Sequence, residues 1–403
     1  MMNQRSVRWL LVRSPVFIVI FTVTTTITSG QQTSRPAVPS EPFNAIFSAF
    51  RSHPIVALGE GNHNNEQGHA FRLALIRHPT FAMTVNDIVV EFGNSLYQDL
   101  MDRFVQGEEV SDDQLRKVWQ NTTQPHPIWD VPIYEEFFRA VRDVNAFLPK
   151  DKRLRVLLGD PPIDWSKSSS AEQFRYPGVR DRVPAEIVQR EVLSKNRRAL
   201  LIYGDAHLFR QGETPTLVDL LEKNSVKVFT IHTSAGDPNL EQWQSDIAKW
   251  LTPSLALIRS TRLDWNGHFD ALLYVGHSLS ITYSRLTAKQ CSDAEYVRMR
   301  ADRWPDWEKR FTELCKQPTP ILAQLWRIYE EQGLDATLGR APQTGDGYSG
   351  GATDLLKLAE ALRVRGKRDD AIAILERNLR VFPGDVPSEK ALVEARAALP
   401  ARR

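Results

Sequence analysis

Seven short apolar runs rich in β-branched residues recur along the chain, at residues 55–58, 88–90, 156–158, 199–203, 226–231, 255–258 and 271–275. Between most of them lie stretches with apolar residues at helical spacing, at 96–105, 133–147, 185–193 and 217–221. A strand that is apolar on both sides must be covered on both sides, and helices between successive strands supply that cover. The expected fold class is therefore α/β, with a mainly parallel sheet flanked by helices over residues 54–317. At 403 residues, 42% hydrophobic and 25% charged, the chain can bury such a core and still carry a smaller second unit.

The residues that end these runs carry the chemical signal. The first run leads into Gly59-Glu60-Gly61-Asn62-His63, the second into Glu91-Phe92-Gly93, the third into Gly159-Asp160-Pro161-Pro162, the fourth into Gly204-Asp205-Ala206-His207, and the fifth into His232-Thr233. Ligands of open parallel sheets bind outside the carboxyl ends of the strands. Five consecutive runs therefore bring polar, mostly ionisable groups to one rim.

These motifs resemble those of a known group of proteins. Gly59-Glu60-Gly61-Asn62-His63 is similar to the Gly-Glu-x-x-His signature of the erythromycin esterases, and Gly204-Asp205-Ala206-His207 to the second Gly-x-x-His of the EreA/ChaN-like and Tiki/TraB group. Glu91 stands where that group has an acidic residue on its second strand, and residues 269–274 resemble a late strand of its esterase-like members. The resemblance implies an α/β domain with two histidines and one or more glutamates in its crevice. Its members include ester hydrolases, metal-dependent peptidases and haem binders, so the fold by itself selects none of these.

Four residues are the candidate catalytic set: His63, Glu60, His207 and Glu91. His63 could act as a general base on water, or as a metal ligand that acidifies bound water. The metal set on the second reading is His63, His207 and Glu91, holding a divalent ion; haem is the alternative cofactor. Glu60 and Glu91 could orient the histidine, bind a cation or divide acid and base roles between them. Asp205 is expected as an orienting carboxylate, with Asp160, His232 and His268 as further pocket residues. Asp160 serves a turn equally well, and His232 and His268 fit a surface or core role. Trp129, Trp165 and Trp265 are candidate walls. His69 and Glu66 are read as structural residues of the helix after the first strand, because six residues separate His63 from His69 and a helical zinc pair needs four. No phosphate-binding loop is present, and no dinucleotide Gly-x-Gly-x-x-Gly follows a strand.

The termini add localisation and a module. Arg5, Arg8 and Arg13, an apolar stretch over 16–27 and small residues at 28–30 have the order of an export signal, and that apolar stretch is shorter than the roughly 20 residues of a membrane span. Residues 1–30 are thus expected to be a signal peptide for a periplasmic or secreted protein, with an uncleaved anchor as the alternative, and 31–53 a linker and leading helix. Without the three arginines the formal charge of +2 becomes −1, and no nucleic-acid partner is expected. Cys291 and Cys315 could form one disulfide or remain two buried thiols. Beyond Pro318 the strand pattern stops, and residues 318–403 read as a helical module. Ala359, Gly366, Ala371, Leu375 and Pro383 resemble a tetratricopeptide-like unit, with Asn378 where a small residue is usual. One unit cannot bury its own face, so the module is expected to dock on the α/β domain or another protomer, or to use residues 389–399 as a capping helix, with peptide or partner binding as its functional reading and a stabilising appendage as the alternative. The expected activity is metal-assisted hydrolysis of an ester or amide bond in a small-molecule or peptide substrate; a haem or iron-compound binding protein and a periplasmic interaction factor acting through the helical tail are its alternatives.

Overall fold

The computed structural model describes residues 39–124, 127–167, 178–234, 247, 250–261, 263, 265, 267–303, 311, 315, 321–343 and 351–397. Residues 1–30, expected to be a signal peptide, lie outside these residues. The seven apolar runs form β1 (Ile55–Gly59), β2 (Asp87–Asn94), β3 (Arg155–Asp160), β4 (Ala199–Tyr203), β5 (Val228–Thr233), β6 (Ser254–Leu257) and β7 (Ala271–Tyr274). They make one sheet in the order β3-β2-β4-β1-β5-β7-β6. Every pairing is parallel except β6 with β7, so the fold is the mainly parallel α/β sheet that the alternation implies. β1 lies at the centre, paired with β4 on one side and β5 on the other.

Side chains alternate across this sheet and build two separate apolar layers. From β1, Val56 and Leu58 enter one layer with helices Glu66–Arg77 and Pro132–Ala146, while Ile55 and Ala57 enter the other with helices Val179–Ile187 and Leu217–Lys223. All five residues of β1 are buried. The same parity governs the rim: Glu60 continues the first face, while His232 on β5 turns to the second, among Trp265 and Phe269.

Cys291 and Cys315 form a disulfide. The carboxyl-terminal helices Leu322–Gln332, Gly351–Val364, Arg368–Val381 and Val386–Ala397 share their own core of Leu325, Trp326, Leu355, Leu358, Ile374 and Leu375. Asn378 is fully buried there, and its Nδ2 donates to Ala352 O at 2.8 Å and to Ser388 Oγ at 2.7 Å. A small residue is thus replaced by one whose amide ties neighbouring helices together. The module docks on the α/β domain through His277, whose ring stacks on Trp326 with centroids 4.1 Å apart. The Arg365 guanidinium lies 4.4 Å from the same indole.

His277 makes this seam pH-sensitive. Its Nδ1 accepts the Leu279 N–H at 3.1 Å, and burial together with Arg365 pushes its pKa down to about 3. The folded ring thus stays neutral down to that pH, while the unfolded ring takes its proton near 6.5. The stability it contributes is complete above 6.5 and is lost as the pH falls towards 3. His277→Phe keeps an aromatic stack that cannot titrate. Relative to this variant, the wild type should lose on the order of 3 kcal/mol in urea unfolding between about pH 7 and about pH 4. A difference that does not change with pH would refute the assignment.

Candidate active site at the carboxyl ends of the strands

The loop after β1 folds back on itself to put an imidazole on a carboxylate. Gly61 and Asn64 take positive φ values of 62° and 67°, and Asn65 fastens the turn, its Nδ2 donating to Glu60 O at 2.7 Å and Asn62 O at 2.6 Å. The Asn65 Oδ1 also accepts the Gly68 N–H at 2.6 Å and so caps the helix Glu66–Arg77. His63 Nδ1 consequently lies 2.8 Å from Glu60 Oε2. The other Glu60 oxygen accepts from Arg72 Nη1 at 2.7 Å, and both of these charged side chains are buried. Trp129 packs edge-on against His63, with ring centroids 4.7 Å apart.

A second cluster approaches from β2 and β4. Glu91 Oε2 accepts the Gly204 N–H at 2.7 Å, and Oε1 accepts from Arg180 Nη2 at 2.7 Å and lies 3.3 Å from His207 Nε2. His207 Nδ1 is 2.8 Å from Asp181 Oδ1. Gly204 leaves room for the two clusters to meet, because a Cβ there would stand 2.9 Å from His63 Cε1 and 3.3 Å from Glu91 Oε2. A third pair completes the rim: His232 Nδ1 lies 3.0 Å from Asp205 Oδ2.

These contacts set the charges. Burial works against protonating His207, but Glu91 and Asp181 outweigh it and push its pKa up to about 10, so the ring is an imidazolium at neutral pH. Burial would raise the Glu91 pKa, yet His207 and Arg180 hold that carboxyl well below the usual range. For His63, burial is again opposed by carboxylates, first Glu60 and then Glu91 and Asp205, and the pKa rises above 6.5. Asp160 is pushed up to about 7 by burial, with Arg180 and Thr123 pulling the other way.

His63, Glu91, Arg180, Asp205, His207 and His232 line one cavity of about 480 Å³. Other sequence candidates fall elsewhere. Asp160 accepts from Thr123 N and Oγ1 at 2.7 and 2.5 Å and sits 3.8 Å from Arg180 Nε, behind the cavity lining. His268 stacks on Phe209 at 4.1 Å, and its Nδ1 lies 2.7 Å from Arg210 O, outside that lining. His69 turns to Glu136, 3.1 Å away. Trp265 backs His232, whereas Trp165 donates to Asn121 O at 3.1 Å. Asp205 faces His232, and Asp181 takes the place beside His207.

Arg72, Arg180 and Asp181 escaped the sequence reading. Arg72 had a signal, since it falls within the apolar stripe of its helix beside Phe71, Leu75 and Ile76. A charge in such a stripe needs a buried partner. Arg180 and Asp181 had none, because their partners Glu91 and His207 are distant in the chain. The run from Gly347 to Gly351 spells Gly-x-Ser-x-Gly, and its residues 347–350 lie outside the described residues.

Glu60, His63 and Glu91 each offer a ligand atom within 4.8 Å of the others, a His/Glu group able to hold a metal by donor type. Both carboxylates, however, already have guanidinium partners, Arg72 and Arg180. Those cations occupy the electrostatic place of a divalent ion, so the arrangement does not suit a resident metal. A porphyrin is also poorly matched, because Ala206 is the one apolar side chain among the described lining residues.

No family model and no curated protein matches this sequence. Solved structures similar to it include ChaN of Campylobacter jejuni, described as binding haem cofacially, at 12% identity and a TM-score of 0.36 over 57% of this chain and 91% of that one. A Bacillus cereus protein matches at 10% identity and a TM-score of 0.42 over 63% and 95% of the two chains. The type III effector HopBA1 matches at 10% identity and a TM-score of 0.38 over 61% and 99%. Likenesses this distant say nothing of chemistry.

The buried Glu60–Arg72 pair gives a direct test of this geometry. Arg72→Ala leaves an uncompensated carboxylate under the rim and should cost about 3–5 kcal/mol in urea unfolding. A loss below about 1 kcal/mol would show that Glu60 does not depend on Arg72.

Proposed function

We propose that the protein is an exported hydrolase that uses His63 to activate water against an ester or amide carbonyl of a small-molecule or peptide substrate. The observation that carries this reading is the Glu60–His63 pair at 2.8 Å, which shares a cavity with the cationic His207 and Arg180. With the Nδ1–H donated to Glu60, the Nε2 lone pair is left to take a proton from water. Glu60 fixes the ring and stabilises the imidazolium that forms, and Arg72 fixes Glu60. As the water oxygen bonds to the carbonyl carbon, negative charge grows on the carbonyl oxygen. The His207 imidazolium and the Arg180 guanidinium are preorganised positive groups suited to it. The disulfide and the basic, apolar, small order of the first thirty residues support export to an oxidising compartment.

His63→Ala and Glu60→Gln should lower kcat/KM on a panel of simple esters and peptides by about 10²–10⁴-fold while circular dichroism stays unchanged. Chelators should leave turnover intact. Because the carboxylates raise the His63 pKa, the base form appears only above 6.5, and kcat/KM should climb through a midpoint on the alkaline side of that value. Undiminished turnover in both variants would sink the mechanism. A stoichiometric Soret change on adding haem, lost in His63→Ala, would favour a haem carrier instead.

A further inference from the structure

A second cavity, of about 770 Å³, is lined by the helices Asp112–Gln120, Pro132–Ala146 and Ala294–Arg303 and by residues 287–293. It shares none of its described lining residues with the cavity of His63. No histidine or cysteine is among them, so the groups that give the rim its base are absent here.

The charges of this cavity are accounted for with one exception. Asp113 pairs with Arg116 and Glu135 with Arg139, both at 2.6 Å, while Asp130 is held by Arg300 and Tyr296. Glu136 turns to His69 at 3.1 Å, and Asp293 accepts the Tyr296 N–H at 3.0 Å. Lys117, Lys289 and Glu295 are exposed, where water solvates them. Arg303 is half-buried and makes no ion pair with a described residue. Burial and then the neighbouring Arg300 push its pKa down to about 10, which leaves it charged at neutral pH.

The guanidinium is also fixed in place. Its Nη1 donates to Asn121 Oδ1 at 2.7 Å and to Gln120 O at 3.3 Å, and its carbon lies 4.9 Å from the centre of the Trp165 ring. Those contacts leave the Nε–Nη2 edge without a partner among the described residues, and neither atom is sealed from solvent. Two parallel N–H groups on one edge of a guanidinium match two oxygens of a carboxylate or a phosphate. Trp119, Pro132 and Met299 give the cavity the apolar wall that the His63 cavity lacks.

We propose that this cavity is a binding site for a small organic anion, whose carboxylate or phosphate docks on the free edge of Arg303 while its apolar body lies against Trp119 and Met299. The anion supplies the counter-charge that no described residue gives Arg303. The site stands apart from the hydrolase reading and holds whether or not His63 acts on water.

The test is calorimetric titration of the full chain with benzoate and with phenyl phosphate, using benzamide as the uncharged control. One or both anions should bind saturably, and the tighter of the two names the headgroup. Arg303→Gln should weaken that binding about 10-fold or more. Arg303→Lys keeps the charge but loses the fork and should recover only part of the affinity. Met299→Trp fills the cavity and should abolish binding, which keeps the proposal testable if the Arg303 variants do not fold, with thermal unfolding as the check. Undiminished affinity in the folded variants would place the anion elsewhere and overturn the assignment. So would benzamide binding as tightly as the anions, or no saturable binding by either anion.

Discussion

The buried Glu60–Arg72 ion pair is the interaction on which the rim depends. A carboxylate at the end of the central strand has lost its water, and it is paired with a guanidinium that is buried with it. Glu60 then has one oxygen left to orient His63. The loop geometry follows from the same need, since Gly61 and Asn64 adopt left-handed conformations that return the imidazole to the carboxylate it follows in sequence. Asn65 closes the turn and starts the helix that carries Arg72, so one short stretch makes the base, its orienting group and the counter-charge.

The second half of the site is assembled differently. Glu91, His207, Arg180 and Asp181 come from β2, the turn after β4 and a helix between β3 and β4. Each positive group touches a negative one, and no described member of the cluster lies far from its counter-charge. Such a network can keep a histidine protonated inside a protein, because moving any one charge leaves another buried without compensation. Glycines at 204 and 59 permit the close approach of these charged groups, the first beside His63 and the second beneath Asp205.

Further out, the frame around His63 is itself anchored. Trp129 lies against the imidazole, and the adjacent Asp130 is held by Tyr296 and Arg300 from the helix Ala294–Arg303. The Cys291–Cys315 disulfide closes the segment that carries this helix. Late parts of the chain thereby buttress a site whose reactive groups come from earlier ones. The helical module joins the same body through the His277–Trp326 stack.

The sequence alone determined the sheet, because seven apolar runs separated by helical stretches have few ways to hide from water. It also determined that Glu60, His63, Glu91 and His207 come to one rim, since polar groups following parallel strands share the sheet's carboxyl edge. Arg72 could have been read from its place in an apolar stripe. The tertiary structure alone decided the partners: Asp181 with His207, Arg180 with Glu91, and Asp205 with His232. Those pairings join residues far apart in the chain, and their choice follows from which helix lies over which face and where each charge finds compensation. Periodicity records which side of an element is buried. It carries no record of which charge will be waiting there.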